Sequence, residues 1–182
     1  AVVLDGTNVV GLDAKRLRAV RGPKAAMIFQ EPSTALNPVF TVGWQLIEGL
    51  RAHGKVTKSD ARKRAVAMLE RVGIPDAARR INDYPHQFSG GQKQRIVIAM
   101  ALALDPKLII ADEPTTALDV TVQAEILEVL RRLRDEDGRA IVLITHNRGV
   151  VADLADRVAV MLNGKIVETA GVKELFSAPQ NE

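Results

Sequence analysis

The chain has 182 residues, 47% of them hydrophobic and none of them cysteine, so it can bury the core of about one domain and excludes disulfides and cysteine-ligated metal centres. Its 25 basic and 22 acidic side chains are mixed along the sequence, which argues only weakly for a polyanionic partner. The longest apolar run, Ile96 to Leu104, is far shorter than the roughly 20 residues that cross a bilayer, so any membrane role is expected to be peripheral.

The first forty residues predict two short strands and a helix. Ala1 to Leu4 is apolar and rich in β-formers, and it ends at the turn Asp5-Gly6, which is typical of an edge strand. Ala14 to Val20 predicts a short helix whose basic residues form a solvated face. The apolar run Ala25 to Phe29 predicts a strand that ends at Gln30, which places that side chain at the edge of a site.

The middle of the chain, from Thr41 to about Ile81, shows only helical periodicity. Helices are predicted over Thr41 to His53 and Ser59 to Val72, and the second stops at Gly73 and Pro75. We therefore expect a helical insertion in this interval.

From Ser89 onward helices and strands alternate. The elements in order are helix Gly91 to Leu104, strand Leu108 to Ala111, helix Val120 to Asp137, strand Ala140 to Thr145, and strands Arg157 to Leu162 and Lys165 to Glu168. Asn163-Gly164 between the last two strands predicts a β-hairpin. The alternation predicts an α/β fold with a mostly parallel sheet, helices on both faces and an antiparallel edge.

Two motifs point to phosphate chemistry. Ser89-Gly90-Gly91 opens a helix, where backbone N–H groups and the helix N-terminus can face an anion. Asp112-Glu113 follows the buried strand pattern, where two carboxylates could hold a magnesium ion and an attacking water. Taken singly, the first motif is an ordinary helix cap and the second a solvated strand end. Their combination favours a nucleotide site.

The two motifs resemble the signature and Walker B motifs of the nucleotide-binding subunit of ATP-binding cassette (ABC) transporters. The signature here is Ser89-Gly90-Gly91-Gln92, and Phe29-Gln30-Glu31-Pro32 matches the family's glutamine loop. Phe29 to Gly43 and Leu118 to Leu127 resemble the branch that imports dipeptides, oligopeptides, nickel and glutathione. The resemblance implies a P-loop NTPase-like (RecA-like) fold, ATPase activity, and ATP and Mg²⁺ as ligands.

The resemblance also implies a role for each site residue. Ser89 to Gln92 would contact the γ-phosphate of an ATP that the opposite subunit holds. Asp112 would hold magnesium through water, and Glu113 would act as general base. Gln30 would reach the magnesium ion and the water.

Two further matches complete the implied site. Ile144-Thr145-His146 matches the switch histidine, so His146 would contact the γ-phosphate. Ala117-Leu118-Asp119 resembles the D-loop that crosses the dimer interface, which adds Asp119 to the nucleotide-binding residues. One departure follows the histidine, where Asn147-Arg148 replaces the usual acid and apolar residue; helix capping by Asn147 is an alternative use of that position.

The family's phosphate loop, G-x-x-x-x-G-K-[ST], has only one near-match. Gly49 to Val56 has valine in place of the hydroxyl residue and follows helical rather than strand periodicity, so we reject it. We therefore expect a chain that lacks the Walker A end and is inactive by itself. Because members of the resembled branch often continue past the Ala178-Pro179 region, we also expect it to lack the C-terminal extension. Three segments are expected. Residues 1–40 are the remainder of the N-terminal part of the nucleotide-binding core and include the glutamine loop. Residues 41–88 are the helical subdomain, and residues 89–182 carry the remaining motifs and the C-terminal end of the core.

The resemblance implies partners as well. These are a second cassette, as a homo- or heterodimer, and integral membrane permease subunits that contact the loop Glu31 to Phe40, with no nucleic acid. The protein would then lie peripherally on the cytoplasmic face of the membrane as the energy-coupling ATPase of a peptide importer. Two alternatives remain: a catalytically silent docking fragment, and a DNA-repair type of cassette, which the short helical insertion disfavours.

Overall fold

A computed structural model of the chain describes residues 1–116 and 118–178. Ala117, the first residue of the predicted D-loop, lies outside the described residues, as do the last four residues of the predicted third segment. The described residues form two compact units, which divide between Val142 and Leu143.

The elements follow the predicted alternation. Strands β1 to β7 are Val3–Leu4, Thr7–Asn8, Ala25–Ile28, Leu108–Asp112, Ala140–Ile144, Arg157–Leu162 and Lys165–Gly171. Helices α1 to α9 are Ala14–Val20, Pro32–Ala35, Val42–His53, Lys58–Arg71, Ala77–Arg80, Gly90–Leu102, Val120–Asp135, Arg148–Leu154 and Val172–Ser177, and Pro85–Gln87 forms a 3₁₀ turn.

A parallel pair of strands forms the centre of the first unit. β3 and β4 run parallel, with Ala25 opposite Leu108 and Ile28 opposite Ala111. β5 completes a three-stranded sheet in the order β3-β4-β5. Ile28, Ile109 and Ala111 have no exposed surface, which fits the continuous apolar runs of strands that are covered on both faces.

The predicted helical insertion is present as α3, α4 and α5. Thr41 and Thr57 are the N-caps of α3 and α4, and each side chain accepts a hydrogen bond from a backbone N–H in the first turn. α3 packs on α4, and α4 packs on α6. Each of these helices carries buried apolar side chains, among them Leu46, Leu69 and Ile96.

The helix α6 links this block to the strands, because it packs against α3 and α4 as well as β3 and α7. On α7 the buried residues Ile126, Leu130 and Leu133 recur at helical spacing and form one apolar face. Arg95 of α6 donates a hydrogen bond to the Gly73 carbonyl oxygen over 3.0 Å and forms an ion pair with Glu125 of α7. This bridge, which the sequence analysis missed, ties the turn after α4 to both helices.

The second unit contains the predicted hairpin. β6 and β7 pair antiparallel, with Leu162 opposite Lys165 across the turn. Asn163 and Gly164 both have positive φ, 50° and 77°, as a two-residue turn of this type requires. The helices α8 and α9 complete the unit, and α9 packs on the hairpin.

Most predicted elements are confirmed to within two residues at each end. The exceptions are elements that the sequence analysis did not predict, namely β2, the 3₁₀ turn and the helices α2, α5, α8 and α9, none of them longer than seven residues. In addition, β7 ends at Gly171, three residues beyond the predicted end at Glu168. In the part of the chain that the structure describes, no helix is both long enough and apolar enough to cross a membrane.

Candidate nucleotide-binding and hydrolysis site

Gln30 and Glu113 meet at the carboxyl edge of the β3–β4 pair. Ile28 and Ala111 lie opposite each other in the parallel register. Gln30 lies two residues beyond Ile28, and Glu113 lies two residues beyond Ala111. The Gln30 Nε2 group donates a hydrogen bond to Glu113 Oε2 over 3.2 Å. The two residues that the sequence analysis placed at a site edge are therefore in direct contact, although 83 positions separate them in the chain.

A tight turn follows β4 and positions the Glu113 carboxylate. Glu113 has a φ of 43°, in the left-handed region that residues other than glycine seldom adopt. The Thr116 N–H donates to the Glu113 carbonyl oxygen over 3.1 Å and closes the turn. The Thr116 hydroxyl also donates to Glu113 Oε2 over 2.7 Å. Sequence analysis missed Thr116, although a hydroxyl residue three positions after an acid in a proline-containing turn is a usable signal.

Asp112 is the last residue of β4 and is half-buried. The oxygens of its carboxylate and of the Gln30 and Glu113 side chains are hard donors of the kind that Mg²⁺ prefers. Within the two described ranges, no group of three acidic, histidine or cysteine side chains is placed to hold a metal by itself. Mg²⁺ in nucleotide sites commonly uses one or two carboxylates together with phosphate oxygens and water, so these residues fit that ion.

The signature residues form a capped helix start. The Ser89 hydroxyl accepts from the Gln92 N–H over 3.3 Å, and Gln92 Oε1 accepts from the Ser89 N–H over 3.2 Å. This reciprocal pair is a capping box, which stabilises the beginning of α6. Ser89 and Gly90 are exposed, so this helix end is accessible to a ligand. Phosphate contact by these four residues stays a prediction.

The two signature glycines differ in their surroundings. A Cβ atom on Gly91 would lie 2.3 Å from Val122 Cγ1, so α6 and α7 can approach this closely only with glycine there. A Cβ atom on Gly90 would meet nothing closer than Leu118 Cδ2 at 3.8 Å, an ordinary contact. Gly91 therefore serves packing, and Gly90 leaves the exposed backbone uncovered.

Asp119 caps α7 beside this contact. Its Oδ1 accepts a hydrogen bond from the Val122 N–H over 2.9 Å. Val122 is also the residue that approaches Gly91. The first turns of the signature helix and of the helix after the predicted D-loop are thus adjacent, while a role of Asp119 in nucleotide binding stays a prediction.

His146 follows β5, belongs to the second unit and is exposed. The next residue, Asn147, is the N-cap of α8, because its Oδ1 accepts from the backbone N–H groups of Gly149 and Val150 over 3.0 and 3.3 Å. The alternative use of Asn147 as a helix cap is confirmed. The switch role of His146 stays a prediction.

The rejected phosphate-loop match lies where no phosphate loop would. Gly49 is inside α3, and Gly54 is the C-cap of that helix. A phosphate loop connects a strand to a helix N-terminus, whereas this segment spans a helix C-terminus. The structure confirms the rejection of Gly49 to Val56.

Comparison with known protein families identifies the chain. A family model described as ABC transporter matches residues 2–116, which is more than half of the sequence. The chain belongs to the ABC transporter family. The matched residues include the capped start of α6, Asp112 at the end of β4 and Glu113 after it.

Curated relatives of this ABC chain are named as ATP-binding proteins of peptide import or oligopeptide transport. A putative peptide import ATP-binding protein of Brucella abortus is 55% identical over 174 residues, which is 96% of this chain and 52% of the relative. The oligopeptide transport ATP-binding protein OppD of Bacillus subtilis is 54% identical over 180 residues, 99% of this chain and 50% of the relative. The chain therefore spans about half the length of the curated relatives it matches.

Solved ABC structures share the fold. A dimeric ATP-binding cassette in a post-hydrolysis state with ADP and Pi aligns with a TM-score of 0.81 at 32% identity, over 93% of this chain and 72% of that one. CbiO1 of Clostridium perfringens, part of an ABC transporter complex, aligns with a TM-score of 0.82 at 30% identity, over 97% of this chain and 67% of that one. The predicted P-loop NTPase-like α/β fold is confirmed.

Proposed function

We propose that this chain forms part of the ATP-hydrolysing, energy-coupling subunit of an ABC importer for peptides or related small solutes. The observation that carries the proposal is the hydrogen bond from Gln30 to Glu113, which joins the predicted glutamine loop to the predicted general base. The peptide-import and oligopeptide-transport names of relatives at 54–55% identity support the substrate class.

The chemistry assigned to these residues is the hydrolysis of ATP. Glu113 accepts a proton from the water that attacks the γ-phosphate, and Gln30 orients that water through its amide. Asp112, through a water molecule, and Gln30 are the proposed residues that hold Mg²⁺, an ion that would neutralise charge on the phosphates when bound. His146 is the proposed γ-phosphate contact. General-base residues of this kind contribute about 10²–10⁴-fold to a rate.

A second cassette is the proposed partner at the signature helix. Ser89 and Gly90 are exposed at the N-terminus of α6, where an anion is favoured by the helix dipole and by free N–H groups. The dimeric form of a similar cassette, solved with ADP and Pi, supports the assignment of Ser89 to Gln92 and Asp119 to a shared site. ATP would bind the closed pair of cassettes more tightly than the open pair, so ATP binding would favour closure. Closure would in turn shift the membrane subunits between states.

Permease subunits are the proposed partners of the loop Glu31 to Phe40. Gln45 holds this loop against α3, since its Nε2 donates to the Asn37 and Phe40 carbonyl oxygens over 3.0 and 3.1 Å and its Oε1 accepts from the Asn37 N–H over 2.9 Å. Phe40 stacks on Trp44 with ring centroids 3.9 Å apart. Both residues are more than a third exposed, so the stacked pair forms part of the surface.

We propose that the protein lies peripherally on the cytoplasmic face of the membrane, where it contacts these permease subunits.

The 182 residues contain no G-x-x-x-x-G-K-[ST] sequence. We therefore propose that they do not turn over ATP by themselves, and that hydrolysis belongs to the full-length protein. A silent docking module is the second candidate, favoured by the same missing motif.

Replacement of Glu113 by glutamine in the full-length protein tests the proposal. The amide keeps the shape of the side chain but accepts protons poorly, so we expect ATP binding to persist and turnover to fall by about 10²-fold or more. Binding would be measured by equilibrium titration and turnover by phosphate release. Glu70→Gln, on the exposed face of α4, is the matched control and should hydrolyse normally.

The outcomes separate the two candidates. Normal turnover in the Glu113→Gln protein would remove Glu113 from the role of base. Absence of ATP binding in the unmodified full-length protein would instead favour the silent docking module.

A further inference from the structure

Glu113 is held by a contact that its predicted role does not require. Its Oε2 accepts one hydrogen bond from Gln30, which follows β3, and a second from Thr116, which lies in the same turn as Glu113. The Thr116 contact is the shorter of the two, at 2.7 Å against 3.2 Å. A hydroxyl donor to a carboxylate is a charge-assisted hydrogen bond, which is stronger than a bond between neutral groups.

Helix capping does not account for the Thr116 hydroxyl. The N-cap of the following helix, α7, is Asp119, whose side chain accepts from the Val122 N–H. Burial does not account for the hydroxyl either, because Thr116 is exposed and could be solvated. The hydroxyl points back to Glu113, three residues earlier, across a turn that the Thr116 N–H also closes over 3.1 Å.

The hydrogen bond from Thr116 is important because Glu113 has an unfavourable backbone conformation. With a φ of 43°, Glu113 occupies a conformation that persists only where neighbouring groups hold it. Thr116 holds both ends of this residue, since its N–H bonds the Glu113 carbonyl oxygen and its hydroxyl bonds the carboxylate. Gln30 bonds the same carboxylate oxygen from the segment that follows the neighbouring strand β3. The carboxylate is therefore held from two separate segments of the chain.

We propose that Thr116 is a positioning residue that orients the Glu113 carboxylate for its reaction with water, an inference that rests on the proposed ATPase function. A carboxylate that turns away from the attacking water loses rate even when ATP is fully bound, because the alignment of reacting groups is part of catalysis. Thr116 acts through Glu113 and touches no reacting atom itself.

The test compares three variants in the full-length protein assembled with its permease partners. Thr116→Val keeps the branched shape but removes the donor, and Thr116→Ser restores the donor on a smaller side chain. Thr169→Val, on an exposed position of β7, is the matched control for the chemical change. We expect Thr116→Val to lower kcat about tenfold with little change in KM for ATP, and Thr116→Ser to recover most of that loss.

A double variant separates positioning from a general structural effect. In a Glu113→Gln background the added Thr116→Val change should lower the residual turnover no further, because the group that it orients is already gone. An equal tenfold loss in both backgrounds would overturn the inference, as would unchanged turnover in Thr116→Val. If the unmodified protein does not hydrolyse ATP, or if Glu113→Gln hydrolyses normally, the proposed function fails first and the inference falls with it.

Discussion

Glu113 shows how one residue can combine backbone strain with a reactive position. Its left-handed conformation costs about 1–2 kcal/mol for a residue with a Cβ atom. Pro114 follows it, and a residue before proline normally adopts extended backbone instead. Hydrogen bonds from Gln30 and Thr116 offset part of this cost. Strain of this kind clusters at functional sites, which agrees with the role proposed for Glu113.

The Gln94 side chain is a second feature at the residue scale, because it is a polar group buried inside the protein. Among the described residues, its Oε1 and Nε2 atoms find no hydrogen-bond partner, and only 1% of the residue is exposed. Burying such an amide without partners costs about 1–3 kcal/mol. We predict that Gln94→Met, which removes both polar atoms at similar volume, raises the free energy of unfolding by about 1 kcal/mol in urea denaturation.

Gln94→Glu is the opposing variant, and it should lower stability because a carboxylate would be buried there. A Gln94→Met protein that unfolds at lower urea concentration than the unmodified chain would contradict the prediction. That result would mean that the amide has a partner in solution.

At the scale of elements, the contact between α6 and α7 depends on the absence of a side chain at Gly91. Gly91 lies against Val122, where an added Cβ would meet Val122 Cγ1 at 2.3 Å. We predict that Gly91→Ala lowers the free energy of unfolding by about 1–2 kcal/mol, since the two helices must move apart. Gly90→Ala has room for its methyl group and should change stability by no more than about 0.5 kcal/mol.

The combination Gly91→Ala with Val122→Ala provides the check. Removing the Val122 γ-methyl groups makes space for the new Cβ, so the double variant should lose less stability than the two single changes added together. Strict additivity in thermal or urea unfolding would show that the close approach is not the cause.

The sequence was most informative about long elements and about strand ends. The helices α3, α4, α6 and α7 were predicted because their apolar periodicity and caps agree. Gln30 and Glu113 were each predicted to follow an apolar strand and to lie at a site edge, and the parallel pairing of β3 with β4 explains why the two residues meet. The short helices α2 and α5, of four residues each, have too few positions for a period to be seen. The hydrogen bonds of Thr116 and the backbone of Glu113 depend on a turn whose dihedral angles no apolar pattern encodes.

At the scale of the whole molecule, the chain presents a surface that its own fold does not use. The loop before α3 is pinned by three hydrogen bonds to Gln45, which is 8% exposed. Beside it, Val39, Phe40 and Trp44 are exposed apolar side chains. A rigid loop loses little conformational entropy on binding, so this surface is preorganised for a partner.

Trp44 is the residue on which assembly with the permease should depend most. It is 47% exposed and stacks on Phe40, and exposed aromatic residues of this kind commonly dominate binding energy. We predict that Trp44→Ala in the full-length protein weakens permease binding by about 2 kcal/mol, roughly thirtyfold in affinity, with ATP binding unchanged. Co-purification and titration against permease in detergent would measure this change in affinity.

Phe176→Ala, at an equally exposed aromatic residue (48%), is the matched control and should bind normally. Equal affinity of the Trp44→Ala and Phe176→Ala proteins would exclude the loop before α3 and its aromatic pair as the permease contact, because a central aromatic anchor cannot be removed from an interface without loss of affinity.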